Sequence, residues 1–223
     1  MDNHFNKIFP SFNPLNLELF PGSRIIDTYA NYFSFHLFNK CTSQNIKSHI
    51  QQLDKLALES SDSSSSALVV LNTNIKNNVT TSILYIHICN KPITKTLYYA
   101  LNVTSIEAEL FAIRCSINQA TNNSNISKII VVTDLIHTVK RIFDLSTHLF
   151  QKHSVSILKI LQLFFSQHQE NYIEFWECLS QYNWYSHKVV DIETKSFKPI
   201  PMLPCKLSWD FSKKSECNNL VKK

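Results

Sequence analysis

The 223-residue chain contains a single glycine, Gly22. Glycine makes up about 7% of an average sequence. Dinucleotide-binding turns, phosphate-cradling loops and the nucleophile elbows of hydrolases all need backbone conformations that glycine supplies, so the sequence excludes these sites. We expect asparagine to make the tight turns instead, at Asn77, Asn78 and Asn90, because Asn tolerates left-handed backbone.

The charge and cysteine content narrow the class of protein. The net charge is +5 and the pI about 8.8, which suits a phosphate-rich partner but falls short of a dedicated nucleic-acid binder. The six cysteines form no C-x-x-C pair, so we predict reduced thiols in an intracellular protein, cytoplasmic or nuclear. We expect no membrane association, because the sequence has no secretory signal and no apolar stretch of about 20 residues.

A serine-rich stretch divides the chain into four parts. We predict an N-terminal flanking segment over 1–59, a flexible linker over 60–66, a compact domain over 67–197 and an irregular tail over 198–223. The N-terminal segment looks too thin to fold alone. We therefore expect it to pack on the following domain, or to belong to a larger upstream protein.

Hydrophobic periodicity within 67–197 changes once along the chain. Apolar and alternating runs first predict three strands joined by short turns. Thr104 and Glu107 then form a capping box, which predicts the start of a helix, and helices alternate with two further strands after it. The order β-β-β-α-β-α-α-β-α predicts an α/β domain with a mixed five-stranded sheet and helices on both faces.

Three carboxylates lie where such a domain would bind a ligand. Asp134 ends a buried strand, Glu109 lies on the first helix facing the sheet, and Asp191 opens the last helix. Each alone could be a helix cap or a structural acid. Together they would repel one another unless a cation lay between them, and Mg²⁺ prefers oxygen ligands. If they converge, they predict metal-dependent phosphoryl chemistry.

Three short motifs carry a family resemblance: Thr104–Leu110 ending in A-E-L, Val131–Asp134 ending in T-D, and His187–Asp191. With the element order, they make Ala67–Phe197 similar to a type 1 ribonuclease H domain. More narrowly, the chain resembles the ribonuclease H-like domains that follow the reverse transcriptase in non-LTR retrotransposons. This resemblance implies a fragment of such a polyprotein.

The resemblance also implies an activity and a site. It implies endonucleolytic hydrolysis of the RNA strand of RNA–DNA hybrids, with Glu109, Asp134 and Asp191 as the ligands of Mg²⁺ or Mn²⁺. The family has a fourth acid at the end of the first strand, where this chain has Asn72. An amide lacks the negative charge and the second acceptor oxygen, so we expect weaker metal binding and impaired hydrolysis.

Two other functions stay open. The domain could be catalytically inactive and bind only nucleic acid, or it could be a transposon-derived protein-interaction domain. An integrase-type site fits less well. The four site positions follow the order Asn, Glu, Asp, Asp along this chain, whereas an integrase has the order Asp, Asp, Glu. The candidate phosphate contacts are Lys128, Lys140, Arg141, Lys152, Lys159, Lys188 and Lys195, and most of them could equally be a solvated face. The sequence gives no indication of the oligomeric state.

Overall fold

A computed structural model describes residues 30–37, 42–76, 79–88, 94–101, 103–143 and 150–196. Gly22, the predicted asparagine turns at Asn77, Asn78 and Asn90, and the tail 198–223 lie outside the described residues. None of the described helices is long and apolar enough to cross a membrane.

The described chain alternates between strands and helices. The strands are β1 (Phe33–His36), β2 (Ser66–Lys76), β3 (Val79–Ile88), β4 (Thr94–Leu101), β5 (Lys128–Thr133) and β6 (Tyr172–Glu177). The helices are α1 (Ser43–Asp62), α2 (Ser105–Thr121), α3 (Ile136–Ile142), α4 (Gln151–Gln167) and α5 (Tyr185–Ser196). From β2 to α5 the order is β-β-β-α-β-α-α-β-α, which confirms the predicted sequence of elements.

The described strands form one mixed sheet in the order β1-β6-β5-β2-β3-β4. The meander β2-β3-β4 is antiparallel, whereas β2 pairs with β5, β5 with β6 and β6 with β1 in parallel. The sheet has one strand more than predicted. The extra strand, β1, has only four residues, and it packs through Phe33 and Phe35, whose rings contact Phe143 and Phe175.

The serine-rich stretch is mostly regular structure. Helix α1 extends to Asp62, and the N–H of Ser63 still bonds to the carbonyl of Glu59 at 3.0 Å. Strand β2 begins at Ser66, so only residues 63–65 connect the two elements. Ser60 is buried where α1 packs on the sheet. The division into domains at this point stays a prediction.

Two apolar cores lie on opposite faces of the sheet. Helices α2, α3 and α4 cover one face, with Ile129 and Val131 of β5 pointing into that core. Helices α1 and α5 contribute to the other core, which receives Ile130 and Val132. Strand β5 is therefore buried on both sides, as its unbroken apolar run indicates. This places the end of β5, and Asp134 after it, at the centre of the fold.

Burial of α1 can be tested with a matched pair of substitutions. Leu53 is fully buried in the second core, whereas Leu58 on the same helix is 63% exposed. We expect Leu53→Ala to lower the free energy of unfolding by about 2–5 kcal/mol, because it leaves a cavity. Leu58→Ala should change it by less than about 0.5 kcal/mol. Urea denaturation of both variants measures this, and equal small effects would show that α1 is not part of the folded unit.

Candidate active site at the carboxyl end of the central strands

The central parallel strands bring two of the predicted site positions to one edge. The β2–β5 pairing runs from Ser66 opposite Lys128 to Val70 opposite Val132. Asn72 lies two residues beyond this pairing on β2, and Asp134 follows the last residue of β5. Ligands of open α/β sheets bind at such strand ends. The structure therefore places Asn72 and Asp134 where the sequence predicts a site.

Glu109 reaches the same edge from α2. Thr104 caps this helix, since its hydroxyl accepts the N–H of Glu107 at 3.2 Å, as the capping box predicts. Glu109 is fully buried, and both of its carboxylate oxygens have hydroxyl donors. The Thr73 hydroxyl donates to Oε2 at 2.6 Å, and that of Thr133 donates to Oε1 at 2.5 Å.

Asp191 reaches the site from α5 and bonds directly to Asn72. The Nδ2 of Asn72 donates to Oδ1 of Asp191 at 2.9 Å, while the Oδ1 of Asn72 accepts the N–H of Thr73. The Nζ of Lys195 donates to Oδ2 of Asp191 at 2.6 Å. Both oxygens of Asp191 thus have donors, and the amide of Asn72 points its nitrogen, not its oxygen, at the acid.

Burial and neighbouring charges raise the pKa values of Glu109 and Asp134. Burial is the main reason that the pKa of Glu109 rises to about 7, and the charge of Asp134 adds to the rise although the hydrogen bonds from Thr133 and Thr73 oppose it. Burial also raises the pKa of Asp134 to about 6, with a contribution from the charge of Asp191 and an opposing bond from its own backbone. The charges of neighbouring carboxylates thus add to the effect of burial on the pKa values of Glu109 and Asp134.

The donor set can be tested against a divalent cation. Three carboxylates supply hard oxygen atoms and negative charge, which in chemistry fit Mg²⁺ or Mn²⁺. Even so, no group of three or more His, Cys, Asp or Glu side chains among the described residues is placed to hold a metal ion. Two threonines donate hydrogen bonds to Glu109, and Asn72 and Lys195 donate to Asp191.

Sequence reasoning missed two residues of this arrangement, Thr73 and Thr133, and it named Lys195 only as a candidate phosphate contact. Thr133 stands inside the T-D motif and Thr73 follows Asn72 directly, so their positions next to site residues were visible signals. Lys195 lies four residues after Asp191 on α5, which is the spacing at which helix side chains meet. The candidate phosphate contacts Lys140 and Arg141 are exposed in the last turn of α3.

The raised pKa of Glu109 makes stability depend on pH. The folded state holds this proton to higher pH than the unfolded chain, so the stabilisation is complete below about pH 4.5 and is lost as the pH rises through 7. Between pH 5 and 7.5, in the presence of a chelator, the wild type should lose about 2 kcal/mol more unfolding free energy than Glu109→Gln. Urea titrations across this range measure the difference. Parallel curves for the two proteins would contradict a desolvated, ionisable Glu109.

No protein-family model and no curated protein sequence matches the chain. Solved structures similar to it include RNase H1 from the halophilic archaeon Halobacterium salinarum NRC-1, with 9% identity, a TM-score of 0.43, and coverage of 59% of this chain and 98% of that one. The N-terminal RNase H domain of a Mycobacterium tuberculosis protein, fused to maltose-binding protein, has 13% identity and a TM-score of 0.45. The match covers 60% of this chain and 96% of that one. The native protease-reverse transcriptase of prototype foamy virus has 10% identity and a TM-score of 0.47. The match covers 64% of this chain and 22% of that one. The chain's own element order from β2 to α5, in a mixed sheet, is that of the ribonuclease H-like α/β fold.

Proposed function

We propose that this chain is a ribonuclease H-like domain that hydrolyses the RNA strand of RNA–DNA hybrids with a divalent cation, at a rate lowered by Asn72. One observation carries the proposal: hydrogen bonds join Asn72 to Asp191, and they join Glu109 to Thr73 and Thr133, which stand next to Asn72 and Asp134 in the chain. The family resemblance implies a site at Asn72, Glu109, Asp134 and Asp191.

Glu109, Asp134 and Asp191 would hold Mg²⁺ or Mn²⁺, which when bound lowers the pKa of water and polarises a phosphoryl oxygen. The chain's own residues prepare this site. Thr73 and Thr133 fix the carboxylate of Glu109 in one orientation. Asp134 and Asp191 are only partly buried, whereas Glu109 is fully buried. Asn72 keeps one oxygen acceptor but directs its N–H toward Asp191, which explains why we expect impaired hydrolysis.

The proposed nucleic-acid contacts lie on α3, the helix that follows Asp134. Helix α3 begins two residues after Asp134, and Lys140 and Arg141 are exposed at its other end. Basic side chains at this position would bind the phosphates of a hybrid and position the RNA strand over the carboxylates. The net charge of +5 supports such a partner.

We further propose that the domain derives from a non-LTR retrotransposon polyprotein and acts inside the cell. The support for the origin is the A-E-L, T-D and His187–Asp191 motifs together with the element order. Cys115 and Cys178 are free thiols in the described structure, which is compatible with a reducing compartment.

A domain that binds hybrids without cleaving them is the second candidate. The observation that favours it is the bond from Asn72 to Asp191, because an amide donor stands where the family has a metal-binding acid. A nuclease and a domain that only binds hybrids lead to different expectations for a variant with Asp at position 72.

Restoring the acid is therefore the main test. We expect little cleavage of a labelled RNA–DNA hybrid by the wild type with Mg²⁺ or Mn²⁺, and about 10²-fold more by Asn72→Asp, because the lost ligand returns. A gel assay of the two proteins side by side measures this. Asn118→Asp makes the same chemical change at an exposed position of α2 and should have no effect.

The outcomes separate the candidates. Asp134→Asn in the Asn72→Asp background should abolish cleavage. Full wild-type activity that Asp134→Asn removes would refute impairment by Asn72. Absence of cleavage in every variant, with hybrid binding retained, would favour the second candidate.

The phosphate contacts can be tested by charge reversal. We expect Lys140→Glu with Arg141→Glu to weaken hybrid binding at least tenfold and to reduce its salt dependence, because fewer counterions are released. Fluorescence anisotropy at several salt concentrations measures both effects. Lys47→Glu with Lys55→Glu, at two exposed lysines of α1, makes the same change in overall charge and is the control. Unchanged affinity in the double variant would show that the hybrid lies elsewhere.

A further inference from the structure

We propose that the tail 198–223 folds back along α5 and packs its apolar segment Leu207–Phe211 on the outer face of that helix. The surface that receives it is an apolar stripe, defined by Tyr185, Val189 and Ile192. This contact is independent of the proposed hydrolysis. It adds a docking surface on the helix that carries Asp191.

The apolar stripe is a row of side chains on the solvent side of α5. Tyr185 is 77% exposed and Ile192 is 54% exposed, and they are two of the four large hydrophobic side chains that are exposed among the described residues. They are about two helical turns apart, with the half-buried Val189 between them. The opposite face of α5 is buried through Val190 and Thr194. A helix with one face in the core and an apolar row on the other is typical of a contact with a further segment.

The tail begins where it can reach this stripe. Residue 197 directly follows the last residue of α5, which is Ser196. The stretch of helix from Ser196 back to Tyr185 is about 17 Å long, since a helix rises about 1.5 Å per residue. An extended chain covers that length in about five residues. Residues 197–206 precede Leu207 and are enough for the chain to reverse its direction and return along α5.

The segment Leu207–Phe211 complements the stripe in hydrophobicity and in charge. Its apolar side chains stand at alternate positions, which share one side of an extended chain, and they are Leu207, Trp209 and Phe211. Its one charged residue is Asp210. Lys188 and Lys195 of α5 are exposed along one side of the stripe, so their charges favour a segment with an acid.

A second copy of the chain fits the stripe less well. Two α5 helices in contact would bring Lys188 and Lys195 of each copy against the same lysines of the other, and like charges repel at short range. Three side chains also fall short of the roughly 1,200 Å² that a stable interface between proteins buries. The tail is covalently attached, so its effective concentration at the stripe is in the millimolar range or above. A small apolar surface is therefore better matched to the tail.

Fluorine NMR of the full chain labelled with fluorotryptophan tests the contact. The chain has three tryptophans, and Trp176 and Trp184 are buried, so their signals report whether the domain is folded. The third signal belongs to Trp209 and is assigned with Trp209→Phe. An exposed fluorine changes its resonance when D₂O replaces H₂O, whereas a buried one does not. We expect the isotope shift of Trp209 in the wild type to be small compared with that of free fluorotryptophan.

A matched pair of substitutions links this burial to the stripe. We expect Ile192→Glu to give Trp209 the full isotope shift of an exposed indole, because a charge in the stripe removes its apolar contact. Leu163→Glu makes a similar change at an exposed position of α4, where Leu163 is 57% exposed, and should leave Trp209 buried. The signals of Trp176 and Trp184 should stay unchanged in both variants.

Four results would overturn the proposal. They are a full isotope shift of Trp209 in the wild type, continued burial of Trp209 in Ile192→Glu, and an equal release by Leu163→Glu, which would reflect added charge alone. The fourth is a dimer in sedimentation that Ile192→Glu dissociates, since the occupant of the stripe would then be a second copy. Absence of hybrid cleavage by Asn72→Asp would refute the nuclease and leave the burial of Trp209 as it is.

Discussion

The parallel pairing of β2 with β5 is the interaction on which the candidate site depends. Its register, with Val70 opposite Val132, places Asn72, two residues further along β2, beside the carboxyl end of β5. Successive side chains of a strand point to opposite faces, so Asn72 reaches Asp191 on α5 while Thr73 reaches Glu109 on α2. A slip of one residue would exchange the two faces and break both contacts. One strand end thus joins helices that lie on opposite sides of the sheet.

The sequence predicts the elements from β2 to α5 because each has a strong local pattern, such as the capping box that begins α2 or the unbroken apolar run of β5. Strand β1 has no such pattern. Its four residues become a strand because they pair with β6 and because Phe33 and Phe35 stack on distant rings. The serines at the end of α1 favour a linker locally, but packing on the sheet overrides that preference. Tertiary contacts decided the elements that local reasoning missed.

The candidate site also contains residues that the sequence predicts and residues that only the fold reveals. Motifs identify Glu109, Asp134 and Asp191, because those acids stand at fixed places in recognisable segments. The donors that hold them depend on pairs far apart in sequence, such as Thr73 with Glu109 and Asn72 with Asp191. Spacing along a helix could have indicated only Lys195. Residue identity therefore predicts which acids gather, whereas the fold alone reveals what neutralises them.

Asn72 and Lys195 both donate hydrogen bonds to the negatively charged carboxylate of Asp191. An aspartate at position 72 would place a second carboxylate within hydrogen-bond distance of Asp191, and two such charges repel unless a cation lies between them. An amide at that position turns the repulsion into a hydrogen bond, and the ammonium of Lys195 supplies positive charge on the other oxygen. Together they meet, from within the protein, the same electrostatic need that a bound cation would meet. The exchange of acid for amide is thus coherent with its surroundings, because each oxygen of Asp191 has a donor of its own.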